Sequence, residues 1–219
     1  MATDAGARVR RVRDELAQMG HTIDARLRKV AGVLVTLDVE AAADIVEADN
    51  ETDIREVAIE RECVDILAAA RPGEVSPAEI VAIIKINSDL ERAGDMVGHI
   101  AERVPALAAL RAGPLPEQID HMARIGAEML ADAVDAIHRK DTVLAQRISQ
   151  RDDAVDELNE EVFRAMLAEI ASDPVRLEFG MHCLIISKSL ERIADLATKI
   201  ARNVIFMATG QIVRHTGKM

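Results

Sequence analysis

The chain has 219 residues, 49% hydrophobic and 30% charged, enough apolar material for a core in one large or two small domains. A net charge of −11 argues against non-specific nucleic-acid binding, which needs a basic face. Three Phe, no Trp and no Tyr leave none of the stacking platforms of single-strand binders, so no nucleic-acid partner is expected.

What remains is Ala, Leu, Ile, Val and Met with little Gly or Pro, a composition for long helices. The first predicted helix runs from Asp4 to about Val35, with Leu16, Met19, Ile23, Leu27, Val30 and Leu34 at 3-4 spacing. Asp38 reads as the N-cap of a second helix that reaches about Ala70, where Arg71-Pro72-Gly73 ends it. Ser76-Pro77-Ala78-Glu79 is a capping box with Pro at the first helical position, opening a third helix to about Val104. Arg111-Ala112-Gly113-Pro114-Leu115-Pro116 is the strongest break in the chain. A fourth helix covers Glu117 to Arg139, and Asp141 caps a fifth that reaches about Ala171. Ser172-Asp173-Pro174 repeats the cap-plus-proline signal, and a sixth helix ends near Thr209 with Gly210 at C′.

The fold expected is therefore all-α, two tandem antiparallel three-helix bundles over residues 1–110 and 116–219. The halves also repeat. At a shift of 100 residues Leu90, Glu91, Arg92 and Asp95 fall on Leu190, Glu191, Arg192 and Asp195. At 103, Asp38, Asp49 and Asp53 fall on Asp141, Asp152 and Asp156. No signal peptide is visible, because Arg8, Arg10, Arg11 and Arg13 are not followed by an apolar segment. No apolar run approaches the ~18 residues of a membrane span. A cytoplasmic location is expected. Cys63 and Cys183 read as buried reduced thiols, and Met19, Met122, Met129, Met166 and Met181 as core filler.

Four carboxylate pairs recur in the repeat: Asp49 with Asp53, Glu91 with Asp95, Asp152 with Asp156, and Glu191 with Asp195. Each pair is four residues apart, on one helix face. Spacing alone is weak, since twelve acidic pairs share it. Height is more selective. About the turn near Gly73, Asp53 and Asp95 are nearly equidistant, so an antiparallel hairpin sets them level. The turn near Ser172 does the same for Asp156 with Glu191 and for Asp152 with Asp195. Each bundle can thus gather four carboxylates. Such a patch is either a solvated acidic face or an all-oxygen site for a hard cation such as Mg²⁺, Ca²⁺, Mn²⁺ or oxidised iron. His99, four residues after Asp95, is a further candidate ligand or a plain surface residue. Arg92 and Arg192 are expected to pair with nearby acids and hold helices together.

Leu90-Glu91-Arg92-Ala93-Gly94-Asp95 and Leu190-Glu191-Arg192-Ile193-Ala194-Asp195 resemble the paired signatures of PhoU-type phosphate-regulon regulators. Ile86-Asn87-Ser88-Asp89 before the first, the second-helix segment from Leu37 to Asp53, and the tail Met207 to His215 are similar to that family as well. The resemblance implies two three-helix bundles whose acidic motifs hold a multinuclear metal centre. The metal set it leaves open is iron, zinc, manganese or magnesium. It implies repression of the phosphate regulon when phosphate is plentiful, and no enzymatic activity. Its implied partners are the ATPase subunit of the phosphate ABC transporter, a phosphate-sensing histidine kinase and a second copy in a homodimer, with membrane contact only through partners. The chain departs from the pattern at Ser76-Pro77-Ala78, where many members have Asp-Leu-Arg. Met96 and Leu196 replace a common His, and His99 and Lys199 a common Asn. The competing readings are a di-metal enzyme or metal-storage bundle, and a purely structural bundle. The first usually needs Glu-x-x-His, and the chain has none.

Overall fold

The caps expected from the sequence form. Asp38 accepts from the Ala41 amide, Ser76 from that of Glu79, and Asp141 from those of Val143 and Leu144. Gly210 closes the last helix in the left-handed region at φ 70°, its N–H on the Phe206 carbonyl. These caps delimit the helices of a computed structural model that describes residues 4–111 and 113–211. The elements are α1 Asp4–Thr36, α2 Val39–Glu47, α3 Asp49–Ala69, α4 Pro77–Ala101, α5 Val104–Leu110, α6 Glu117–Arg139, α7 Thr142–Ser172 and α8 Leu177–Thr209. Ala112 of the central break and residues 212–215 of the family-like tail lie outside the described residues.

The architecture is the expected all-α pair of antiparallel three-helix bundles. One unit holds α1, α2–α3 and α4, and the other α6, α7 and α8. Three boundaries differ from the sequence reading. The second predicted helix is broken at Ala48 into α2 and α3. A guanidinium from α1 engages the backbone at this point. Arg26 Nη2 takes the Ile45 carbonyl at 3.3 Å, an oxygen that a continuous helix assigns to the amide four residues on. The third predicted helix stops at Ala101, and Val104-Pro105 opens the short α5. A 3₁₀ turn, Pro174–Arg176, precedes α8, with Asp173 accepting from the Val175 amide.

The two units share one core. Leu16, Ile23, Leu27, Ile86, Leu90, Leu130, Ile137, Ile186 and Leu190 are all buried in a single apolar cluster. Each such side chain contributes roughly 1.5–3 kcal/mol on burial. The units meet where α4 lies along α8 and α1 along α6. Polar residues mark the first seam: Asn203 Nδ2 donates to Asp89 at 3.3 Å, and Lys85 sits 5.3 Å from the Phe206 ring centre. Burial holds the Asp89 carboxyl above its ordinary range against the pull of Lys199 and Arg92. Cys63 and Cys183 are buried and free, and burial pushes their thiols up to about 11 and about 12. Among the methionines named as core filler, Met19, Met122, Met129 and Met166 are buried, whereas Met181 is exposed. No helix among the described residues is long and apolar enough to cross a membrane.

The α1–α6 seam depends on a missing side chain. A Cβ at Gly20 would run into the buried Val134. Gly20→Ala is therefore expected to destabilise by about 1–3 kcal/mol, lowering the melting temperature by roughly 2–4 °C per kcal/mol. Gly32→Ala, on the exposed side of the same helix with nothing within 4 Å, is expected to raise it. Thermal melts followed by circular dichroism check both.

Candidate metal centre

α3 and α4 are antiparallel neighbours, and the carboxylates that the sequence set level do meet. Asp53, Glu91 and Asp95 each offer one oxygen, all within 4.8 Å of one another. Among the described residues this is the group close enough to hold one ion. The donor set is all oxygen and anionic, which suits a hard cation at 2.0–2.6 Å. A cation there would also relieve the repulsion that the three charges impose on one another.

Asp49, the fourth expected member, is engaged differently. Its Oδ1 accepts from Arg26 Nη2 at 2.8 Å. Arg26 is buried, and its Nη1 donates to the buried Thr52 hydroxyl at 2.9 Å, while its Nε has no partner. The arrangement is tight at Gly94 and leaves ordinary contact distance at Gly98. A Cβ at Gly94 would lie 3.2 Å from Asp49 Oδ1, and one at Gly98 3.6 Å from Oδ2. The first turn of α3 thus beds directly on α4, with Asp49 held beside Asp95.

The electrostatics follow from this crowding. Burial, then Asp95, Glu56 and Asp53, push Glu91 up to about 7, so it is half protonated at neutral pH. Burial and Asp49 raise Asp95 above the ordinary carboxylate range; His99 and a hydrogen bond with Glu91 partly offset this. Glu56 was not among the sequence candidates, yet it shares this field and is itself raised by burial, Glu60, Asp53 and Asp95. It pairs with Glu60 at four-residue spacing, but the repeat does not keep that pair, since Asn159 and Phe163 stand at the 103-residue shift.

The second unit repeats the set with a different balance. Burial, Asp195 and Asp156 push Asp152 up to about 6, against the pull of Arg202. Asp156 is raised by burial, Glu191 and Asp195. The four acids therefore share one field, but Lys188 Nζ already sits 2.5 Å from Glu191 Oε2. Ala194 and Thr198 stand where the first unit has Gly94 and Gly98. Arg92 and Arg192 are exposed, and among the described residues neither makes an ion pair, so helix bridging falls to other residues. His99 is exposed beside Asp95. His182 is part-buried, with Nδ1 unpartnered.

A carboxyl raised in the folded state binds more protons folded than unfolded between its two pKa values. For Glu91 that window runs from about 4.5 to about 7, so its contribution to stability is present below the window and is lost as pH rises through it. In chelator-treated protein Glu91→Gln is expected to raise the melting temperature at pH 8 by ~2–4 °C, the shift for about 1 kcal/mol at this chain length. The gain should shrink as the pH is lowered to 5. A gain independent of pH would contradict the assignment.

Comparison with known proteins adds identity to this geometry. The family model described as "PhoU domain" matches twice, over residues 16–104 and 119–204. A relative from Aquifex aeolicus, named a phosphate-specific transport system accessory protein PhoU homolog, is 33% identical over 93% of this chain and 92% of its own length. A similarly named protein from Zymomonas mobilis is 34% identical over 90% of this chain and 83% of its own length. Among solved structures, PhoU from Pseudomonas aeruginosa superposes with a TM-score of 0.87 at 30% identity, covering 94% of this chain and 99% of that one. The phosphate transport system regulatory protein PhoU from Streptococcus pneumoniae gives 0.88 at 25%, covering 96% and 100%. With both bundles matched and the doubled carboxylate motif in place, the chain belongs to the PhoU family.

Proposed function

We propose that this protein is a cytoplasmic regulatory accessory protein of phosphate transport that represses phosphate uptake and starvation signalling when phosphate is plentiful. The observation that carries this reading is the presence of both PhoU domains over nearly the whole chain, with relatives named accessory proteins of the phosphate-specific transport system. It acts by contact and not by catalysis. Its partners on this reading are the ATPase subunit of the phosphate ABC transporter and the phosphate-sensing histidine kinase, and it functions as a homodimer. Deleting the gene is then expected to leave phosphate-starvation genes expressed in phosphate-rich medium, read with a transcriptional reporter. Expression that stays repressed in the deletion strain would overturn it.

The carboxylates are proposed as metal ligands in both units. In the first, Asp53, Glu91 and Asp95 bind the ion while Asp49, held by Arg26, completes the anionic wall. In the second, Asp152, Asp156, Glu191 and Asp195 do so once Lys188 leaves Glu191. Oxygen donors without Cys or His favour magnesium, manganese or ferric iron over zinc in a structural site. The bound cation would supply positive charge that neutralises each patch and locks the helix hairpin. Binding displaces the Glu91 proton, so affinity should weaken as pH falls below about 7. Elemental analysis of protein purified without chelator is expected to show metal. The combined Asp53→Ala and Glu91→Ala variant should lose about half of it, the second unit keeping its share. Unchanged metal content in a folded variant would refute the first site.

A further inference from the structure

Met181 belongs in the core by its sequence pattern and is 47% exposed. It is not alone. Phe163, Leu167 and Leu177 are about half exposed as well. On α7, Asp156, Glu160, Phe163 and Leu167 recur at 3-4 spacing, and so do Leu177, Met181, Leu184 and Lys188 on α8. Between the two rows runs a groove of about 580 Å³, where Phe163 and Leu184 face Asp156, Glu157, Glu160 and Lys188; Leu167, Leu177 and Met181 lie beyond it in sequence, toward the α7–α8 turn. The groove is acidic at one end and apolar toward the tip of the hairpin.

The internal repeat supplies a control. At the 103-residue shift Phe163 stands where the first unit has Glu60, which is exposed. The same hairpin therefore folds with a carboxylate in that place, and its packing does not demand an aromatic ring there. In a chain with three Phe and no other aromatic residue, one ring is placed half in water beside three more apolar side chains.

Charge selects the occupant. Asp153, Glu157 and Glu160, none of them a proposed metal ligand, crowd the other end, where Arg164 is already paired with Glu160 and Lys188 lies within reach of Glu191. Such an edge repels anionic lipid headgroups, and it repels a second copy of a chain of net charge −11. It attracts Lys and Arg. From Asp156 to Leu167 the row spans roughly 16 Å, about three turns of a helix laid along it. We infer that the α7–α8 groove docks an amphipathic α-helix of a partner protein, apolar along one face and basic at the end that lies over Glu157 and Glu160. This deepens the accessory-protein reading by naming a surface through which contact is made.

The test uses the full-length protein and a fluorescent synthetic helix of about 18 residues, with leucines at 3-4 spacing and arginines at one end. Anisotropy titration is expected to show saturable binding that Phe163→Glu weakens by about tenfold or more. Glu160→Lys should weaken it too and transfer preference to a peptide with glutamates in place of the arginines. Phe163→Glu borrows the residue of the other unit, so its melt should stay near wild type. Equal binding by Phe163→Glu, or equal binding of the acidic peptide to wild type, overturns the proposal. In cells, a photoreactive phenylalanine at position 163 should crosslink to a basic amphipathic helix identified by mass spectrometry. Adducts to lipid or to a second copy, or no adduct, overturn it. The outcomes separate from the regulatory reading. A deletion that leaves phosphate genes repressed removes that role without touching peptide binding, and lost binding leaves a deletion phenotype intact.

Discussion

The Arg26 guanidinium is the interaction on which the first carboxylate centre depends. It is buried, it comes from α1, and it binds the Ile45 carbonyl, the Thr52 hydroxyl and the Asp49 carboxylate. The Ile45 oxygen it binds lies three residues before the break at Ala48. Taking Asp49 turns its carboxylate onto the glycine surface of α4. A buried cation without partners is costly, and one with a carboxylate and two further acceptors is tolerated. The same contact commits Asp49 and leaves Asp53, Glu91 and Asp95 as the three acids without a permanent cation among them. The centre is thus acidic because the Arg26 guanidinium is already engaged and the exposed Arg92 only partly offsets its field.

The duplicated unit shows what the fold requires and what it leaves free. Both copies keep the acids, and both raise at least one carboxyl well above its ordinary range by burial and mutual repulsion. The surroundings have diverged. Gly94 and Gly98 bring α3 onto α4 in one copy, and Ala194 and Thr198 occupy those places in the other. Lys188 closes on Glu191 in the second copy, where the first has Ser88. Phe163 replaces Glu60. The halves therefore share an architecture while presenting different charge and different apolar surface.

The shared core constrains how the halves communicate. α4 carries Glu91 and Asp95 on one side and lies against α8 on another, and α8 carries Glu191 and Asp195. Ligand-bearing helices are thus the ones that form the seam, with Asp89 and Asn203 hydrogen-bonded across it. Both acidic patches are thus carried by helices of one close-packed interface.

Much of this was legible in the sequence. Six helical stretches, most of their caps, the doubled unit and the level carboxylates follow from periodicity, from Asp, Ser and Gly at helix ends, and from equal rise per residue along a hairpin. These are local or arithmetical properties of the chain. The break at Ala48 was not legible, because no Gly or Pro marks it and the guanidinium that engages the backbone there comes from nineteen positions upstream of Ile45. Glu56 was hidden because the other unit has Asn159 in its place, and the exposure of Met181 and Phe163 by helical patterns that do not say which apolar face will find a neighbour. The sequence by itself determined the helices, their pairing and the family. Only the tertiary structure decided which acids share an oxygen cluster, which one Arg26 withdraws, and which apolar residues stay in water. Those outcomes depend on contacts between helices far apart in the chain.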